Sequence, residues 1–332
     1  MLRIAVWYES MLGRNDGNPL YVTAYLKRVQ YFCDVLRKKN LNERLLNYFP
    51  TQPPQDPEAE KMASWVMDEF GGLEVEHLRP YGDDLGTYGE FDINIWVDWG
   101  EDGLTGILPY EPLFPSHNVV YWASDTHLGY DYRLSVAKRS DIVFCAQRQS
   151  VAQFKESGIE ASWLPHCVDP LAYPRFNFAS KKHDICFIGH VNSENRLEFL
   201  ELMFRNFPNF FYGQRRFEQA SREYARSKIV INKAMKDDLN MRVFEVLGSG
   251  SFLLTDEVDS LGTLFESGKH LVTYKKDEEA VQLASDYLNQ PDKLREIAEA
   301  GYREVIKNHT IGSRVKKILE SIKNKEVVNV VN

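Results

Sequence analysis

The sequence predicts an α/β protein made of two doubly wound parallel-sheet domains. Three observations carry that prediction. The 332 residues leave room for two cores of ordinary size. The second half alternates short apolar runs with amphipathic stretches, a pattern that suits parallel strands joined by right-handed helical crossovers. The segment Trp163-Leu164-Pro165-His166-Cys167-Val168-Asp169-Pro170 carries prolines at Pro165 and Pro170 and reads as a linker. Accordingly residues 1–168 form one domain, residues 169–308 a second, and residues 309–332 a final helix and tail.

Composition narrows the function classes. Apolar residues make up 43% and aromatics 13%, which suits a folded globular chain. A net charge of −8 disfavours general nucleic-acid binding, although a local basic cleft is compatible with it. No apolar run approaches the ~20 residues needed to span a bilayer. The opening MLRIAVWY is too short for a signal sequence and runs into Glu9. Cys33, Cys145, Cys167 and Cys186 are scattered without C-x-x-C spacing, which points to reduced thiols and a cytoplasmic protein. The eight histidines form no metal-ligand spacing, so no structural zinc is expected.

In the first half, Arg3–Tyr8 reads as a central strand. The loop Glu9–Asn18 follows, with Gly13 and Gly17, and then a helix with apolar positions Val22, Tyr25, Leu26, Val29, Phe32, Cys33 and Leu36. Ligands of open α/β sheets bind beyond the carboxyl ends of strands, so this loop either lines a cleft or is a plain polar surface loop. The connector Phe49–Glu60 is rich in proline and acid and reads as a surface excursion, leading to a helix through Trp65, Val66 and Phe70. Phe91–Val97 and His117–Trp122 read as strands that deliver Asp98, Glu101, Asp102, Asp125 and His127 to one edge. Ile142–Phe144 reads as a further strand and Gln149–Ser157 as a helix. A lone histidine such as His127 is as readily a structural hydrogen-bonder as a catalyst.

In the second half, Asp184–Ile188 is predicted to be a strand ending in Gly189-His190, before a helix over Arg196–Phe207. Gly189, Asn192, Ser193, Asn195 and Arg196 have the character of a phosphate turn: a glycine for close approach, a capped helix start and a cation. The alternative is a simple capping motif with a solvated Arg196. Phe210–Gly213, Lys228–Asn232, Ser251–Thr255 and His270–Tyr274 read as the remaining strands. The last helix carries Ile311, Val315, Ile318, Leu319 and Ile322 on one stripe, which packs on a core.

The most informative stretch is residues 237–256, DDLNMRVFEVLGSGSFLLTD. Asn240 is placed to cap a short helix that begins near Met241 and ends at Gly248, Ser249 and Gly250. Its N-terminus presents free amides and partial positive charge, which suits a diphosphate. Asp237 in the loop and Glu245 on the helix would face a ligand from two sides and suit sugar hydroxyls. Alternatively Asp237 assists the cap and Glu245 is an exposed carboxylate.

The stretch resembles the acidic motif of retaining GT-B glycosyltransferases of group 1, E-x₇-E followed by a small-residue turn and a strand. It is most similar to their spore-maturation-protein-like branch, in which the form is D-L-N-x-R-x-F-E. Here Asp237 stands where the first Glu is usual. The resemblance extends from about Asp184 to Ile322 and more weakly over the first half. It implies a GT-B fold, with two Rossmann-like domains facing a cleft and a C-terminal helix that crosses back to the N-terminal domain. It also implies transfer of a sugar from a nucleoside-diphosphate sugar to a glycan, protein or small-molecule acceptor, with retention and with no metal or other cofactor required; the absence of a convincing D-x-D motif agrees. Asp237, Arg242, His127 and Asp125 would then be the catalytic candidates. Glu245, Asn240, Arg196, Gly189, His190, Tyr212, Gly213 and Gly13 would be the donor-binding candidates, Glu245 on the ribose and Tyr212-Gly213 near the base. Arg242 could equally bridge Asp238. Two further readings stay open: a sugar-nucleotide epimerase of the same fold, or a non-catalytic glycan- or nucleotide-binding protein. Nucleotide base, sugar, acceptor and oligomeric state are not specified by any residue pattern.

Overall fold

The computed structural model describes residues 2–8, 73–78, 92–98, 118–191, 193–236 and 238–325. Two compact units result: Met1–Pro165 with Gly312–Asn332, and His166–Ile311. No helix among the described residues is long and apolar enough to cross a membrane.

The first unit is built on a six-stranded parallel sheet. Its strands are β1 (Leu2–Tyr8), β2 (Leu73–Leu78), β3 (Ile93–Val97), β4 (Val119–Ala123), β5 (Ile142–Cys145) and β6 (Ala161–Trp163), in the order β2-β1-β3-β4-β5-β6. β3, β4 and β5 are buried along their whole length, as their unbroken apolar runs demand of strands covered on both faces. Helices α1 (Tyr130–Ala137) and α2 (Arg148–Glu156) pack on them around Trp96, Tyr121, Val136 and Phe154. The strands lie within two residues of their predicted limits: β3 starts at Ile93 rather than Phe91, and β4 runs over Val119–Ala123. β2, β6 and α1 are not anticipated. LEVEHL has charges on every second residue, ASW is too short to show a period, and YDYRLSVA begins after Gly129 with no side-chain cap.

The second unit repeats the plan. Strands β7 (His183–Ile188), β8 (Phe210–Gly213), β9 (Ser227–Asn232), β10 (Leu253–Asp256) and β11 (Val272–Tyr274) form a parallel sheet in the order β11-β10-β9-β7-β8. On one face α3 (Glu194–Asn206) and α6 (Asp277–Leu288) bury Phe199, Met203, Ala280 and Ala284 against Phe187, Ile229, Ile231 and Leu254. Helices α4 (Phe217–Arg226) and α5 (Met241–Gly248) also pack on the strands, and α5 lies against α7 (Pro291–Asn308). β10 begins two residues later than the apolar run suggests. Phe252 still joins the ladder, through its carbonyl oxygen, which accepts from Val230 N at 2.9 Å.

Close packing of the Val168 side chain against the helix backbone explains the glycine that ends α5. A Cβ on Gly248 would stand 2.7 Å from Val168 Cγ2. Val168 itself is clamped into a parallel bridge, its amide donating to His309 O and its carbonyl accepting from Ile311 N, both at 2.9 Å. Beyond that bridge α8 (Ile311–Asn324) begins. Its buried stripe Val315, Ile318, Leu319 and Ile322 matches the predicted one, and Arg314 Nε donates to Pro165 O at 2.7 Å.

Candidate functional site

The second sheet reverses its strand order between β7 and β9, since β8 lies outside β7 while β9, β10 and β11 extend the other way. At such a switch point the loops leaving the two central strands diverge to opposite faces and open a crevice at their carboxyl ends. Gly189 and His190 leave β7 there, and residues 233–236 leave β9.

Asn232, the last residue of β9, organises the crevice. It is 1% exposed, and each polar group of its amide is used. Its Nδ2 donates to Thr255 Oγ1 at 2.9 Å on the neighbouring strand. Its Oδ1 accepts from Arg242 Nη1 at 2.6 Å and from Asn240 Nδ2 at 3.3 Å, while its backbone oxygen accepts from Tyr274 OH at 2.8 Å. Asn240 caps α5 as its sequence position predicts, Oδ1 accepting from Arg242 N at 3.1 Å. One asparagine thus fixes both the cap and the first arginine of the helix.

Arg242 turns inward, its guanidinium carbon 4.6 Å from the centroid of the Phe187 ring. Gly189 makes room for it: a Cβ there would stand 2.0 Å from Arg242 Nη2, and the backbone adopts φ +154°. The guanidinium is held by Asn232 and Phe187, so a side chain at position 189 would break those contacts rather than push aside a mobile end. Arg196 approaches the same ring at 5.9 Å from α3. It is 6% exposed rather than solvated, donating from Nη1 to His190 O at 3.0 Å and from Nη2 to Lys233 O at 2.7 Å. Ser193 caps its helix, accepting from Arg196 N at 3.4 Å. The helix therefore starts at Glu194, two residues before the predicted start.

Burial, and next the charge of Arg242, bring the Arg196 pKa down to about 10. Nearby Asp256 partly offsets this, but both its carboxylate oxygens lie 2.9 Å from Ala234 N, holding the start of the 233–240 loop. Burial raises the Asp256 pKa, and the Ala234 amide and Lys233 oppose that rise. Lys233 is drawn off to Asp277 at 2.6 Å over the Phe199 and Tyr274 rings. The result is a crevice in which two guanidinium groups share one aromatic ring, Arg196 donating to the His190 and Lys233 carbonyls and Arg242 to the Asn232 amide oxygen. An anion of two charges would relieve their mutual repulsion.

The other predicted residues fall into three groups. Tyr212, 48% exposed, stacks on Phe187 at 6.3 Å, and Gly213 O accepts from Gly189 N at 3.0 Å, so both border the crevice. His190 is exposed at its rim. Glu245 lies three residues beyond Arg242 on α5, where its charge, after burial, raises the pKa of the wholly buried Tyr224. Asp125 and His127 belong to the first unit: Asp125 takes a left-handed backbone, φ 46°, before the 3₁₀ turn Thr126–Leu128 that carries His127. Asp237, Gly13, Asn192, Glu101 and Asp102, the helices through Val22–Leu36 and Trp65–Phe70, and the connector Phe49–Glu60 lie outside the described residues.

One strand-end acid has a different job from the one its position suggests. Asp98 is 4% exposed; its Oδ2 stands 2.9 Å from Arg133 Nε and accepts from Tyr121 OH at 3.0 Å. Asp98 therefore ties β3 to β4 and α1. Asn232 and Lys233 carry no motif in the sequence, and Asp256, though it closes the stretch 237–256, was not singled out as a site residue. The signal for Asn232 was a buried amide closing the apolar run KIVIN, where an unpaired polar group would be costly.

Comparisons with known proteins agree with this architecture. Residues 189–320 match a family model described as glycosyl transferase-like. Comparison with curated proteins gives no match. Among solved structures, Anabaena HepE in complex with UDP and glucose superposes with a TM-score of 0.58 at 11% identity, covering 96% of this chain and 99% of that one. Sucrose-phosphate synthase from Thermosynechococcus elongatus gives 0.56 at 9% identity over 98% and 99%. A glycosyltransferase from Rickettsia africae gives 0.56 at 10% identity over 99% of both chains. At these identities the likeness is one of fold: the chain is an α/β protein with two parallel sheets, matching GT-B glycosyltransferase structures.

Proposed function

We propose that the protein is a glycosyltransferase that moves a sugar from a nucleoside-diphosphate sugar to an acceptor hydroxyl, with retention and without a required metal. The observation that carries the reading is the convergence of Arg196 and Arg242 on Phe187 at the switch point, beside the capped N-terminus of α5. A diphosphate supplies the charge that this arrangement favours, and a helix N-terminus adds amide donors. The match of residues 189–320 to the glycosyl transferase-like model and the UDP-glucose complex of HepE support the same ligand class. The D-L-N-x-R-x-F-E pattern of residues 238–245 supports placement in the spore-maturation-protein-like branch.

In this reading His166–Ile311 holds the donor and the first unit the acceptor. Arg242 and Arg196 stabilise the charge that grows on the diphosphate as the sugar leaves, the electrostatic role a metal plays in other transferases. Glu245 binds the ribose hydroxyls, Tyr212 and Gly213 border the base, and Asp237 binds the sugar. His127 and Asp125 contact the reacting groups from the acceptor side. The buried free thiols Cys145, Cys167 and Cys186 support a cytoplasmic location.

Thermal-shift measurements against UDP, GDP, ADP, CDP and dTDP test the reading. A ligand at 100 Kd adds about 2.7 kcal/mol to stability. One nucleotide should raise the midpoint well above the others, and a flat response to all of them would overturn the assignment. NMR of the preferred donor sugar incubated with enzyme alone then separates transfer from epimerisation, since an epimerase converts the donor without an acceptor.

A further inference from the structure

The Asn232 amide turns its oxygen to Arg242, and the hydrogen bonds behind it dictate that choice. An asparagine amide has nearly the same shape either way round, so the donors and acceptors around it select the orientation. Two main-chain amides, which can only donate, polarise this network from its two ends. At one end Ala234 N donates to both carboxylate oxygens of Asp256 at 2.9 Å. A carboxylate only accepts, so the Thr255 hydroxyl gives its proton to Asp256 Oδ1 at 3.2 Å, with the Asp256 carbonyl a weaker second acceptor at 3.4 Å. The hydroxyl oxygen is left to accept from Asn232 Nδ2 at 2.9 Å. At the other end Arg242 N donates to Asn240 Oδ1 at 3.1 Å, which directs Asn240 Nδ2 at Asn232 Oδ1, 3.3 Å away. Both constraints turn the same oxygen to Arg242 Nη1 at 2.6 Å.

We propose that Thr255 is a positioning residue for Arg242: its hydroxyl, polarised by Asp256, fixes which way round the Asn232 amide sits and so holds the guanidinium in place. The inference rests on the donor reading above, in which Arg242 meets the leaving diphosphate. Thr255 is 1% exposed and acts on Arg242 through Asn232. A reversed amide would set Nδ2 against Arg242 Nη1, donor against donor, and the 2.6 Å bond that restrains the guanidinium would be lost. Position 255 therefore calls for a hydroxyl and not only for a side chain of that size. Valine has the shape of threonine but neither the proton for Asp256 nor the lone pair for Asn232, and it would leave the buried Nδ2 unpaired. An aspartate at position 232 would present an oxygen to Arg242 either way round, and the hydroxyl would no longer decide anything.

Rotation of the Arg242 guanidinium about its Nε–Cζ bond reads the positioning directly. It is followed by NMR on the whole chain labelled with ¹⁵N-arginine, the signal being assigned by its loss in Arg242→Lys. Thr255→Val should speed the rotation by about 10-fold, the scale of one hydrogen bond to a charged group. Thr255→Ser, which keeps the hydroxyl, should restore slow rotation. In an Asn232→Asp background Thr255→Val should have no effect. Thr255→Ala carries the same expectations as the valine variant with less bulk, should that variant not fold. With whichever of UDP-, GDP-, ADP-, CDP- and dTDP-glucose binds, Thr255→Val should lower kcat for release of the nucleoside diphosphate by about 10-fold with a smaller change in KM. Unchanged rotation in Thr255→Val, or the same acceleration in the Asn232→Asp background, overturns this inference and leaves the donor reading standing. Failure of all five sugar nucleotides to bind overturns the donor reading, while the rotation rates still decide the positioning. A hydroxyl that only supported β10 would lower the unfolding midpoint and leave rotation and kcat untouched.

Discussion

The two sheets share one strand plan and use the charges at their strand ends in opposite ways. Each has a switch point between its first and third strands, where a polar residue closes the third strand: Asp98 follows β3 and Asn232 ends β9. In the first unit the arginine sent to that point, Arg133, meets the Asp98 carboxylate at 2.9 Å with both side chains buried. Burial works against its charge, and the nearby anions outweigh that and raise its pKa. In the second unit the arginine sent to the equivalent point, Arg242, meets the neutral amide of Asn232, and Arg196 nearby bonds to carbonyl oxygens. The first pairs opposite charges and holds architecture together. The second places like charges side by side, which in the proposed donor site favours an anionic ligand. The same fold position can thus serve packing or recognition, and the difference is one carboxylate against one amide.

Substitutions that exchange these roles break the comparison, and the largest effect belongs to the closed pair. Arg133→Met leaves the buried Asp98 carboxylate without its cation and should cost about 3–5 kcal/mol in chemical unfolding of the first unit. Much of that should return in the Asp98→Asn/Arg133→Met double variant, and an equal loss in the double variant would show that the charge was irrelevant. Arg242→Ala should leave the fold intact and lower turnover by about 100-fold with a smaller loss in donor affinity, because its charge matters most as the leaving group develops its own. Equal losses in both parameters would make it a plain binding residue. Glu245→Ala should weaken the cognate nucleoside diphosphate by roughly 10-fold, the scale of one hydrogen bond to a charged group, and unchanged calorimetric affinity removes it from the site.

Smaller effects sharpen the contrast. Asn240→Ala deletes the cap of α5 and one contact to Asn232, costing about 1 kcal/mol of stability, with a fall in nucleotide affinity as the arginine loses its register. The smallest effect is expected from excess EDTA. With the leaving-group charge met by arginines, turnover should be unchanged, and loss of activity restored by Mg²⁺ or Mn²⁺ would refute the metal-free mechanism.

The proposed donor site was half legible in the sequence. Asn240, Arg242 and Glu245 stand at spacings that only a capped helix start explains, because capping and helix periodicity are local rules acting over a few residues. Arg196 read as either phosphate ligand or solvated side chain, and only its 6% exposure and its bonds to two loop carbonyls remove the solvated reading. Asn232 announced itself only as an amide closing an apolar run. Its side-chain partners lie 8, 10 and 23 residues away, on a cap, a helix and a neighbouring strand, so no local pattern could name them. Asp98 looked like a site acid for the complementary reason: its cation, Arg133, is far off in sequence on a helix with no apolar stripe.

By itself the sequence determined the class of fold, the strands of unbroken apolar character and the stretch DDLNMRVFE around which a donor site was expected, since these follow from burial periodicity and short-range hydrogen bonding. Tertiary structure alone decided which charges are spent and which are kept. The Phe187 ring brings together guanidinium groups from α3 and α5, the missing Cβ of Gly189 admits one of them, and the carbonyl of Gly213 ties the end of β8 alongside. Electrostatic energy depends on distance through space and on burial, and neither is fixed until the strands between these residues have paired.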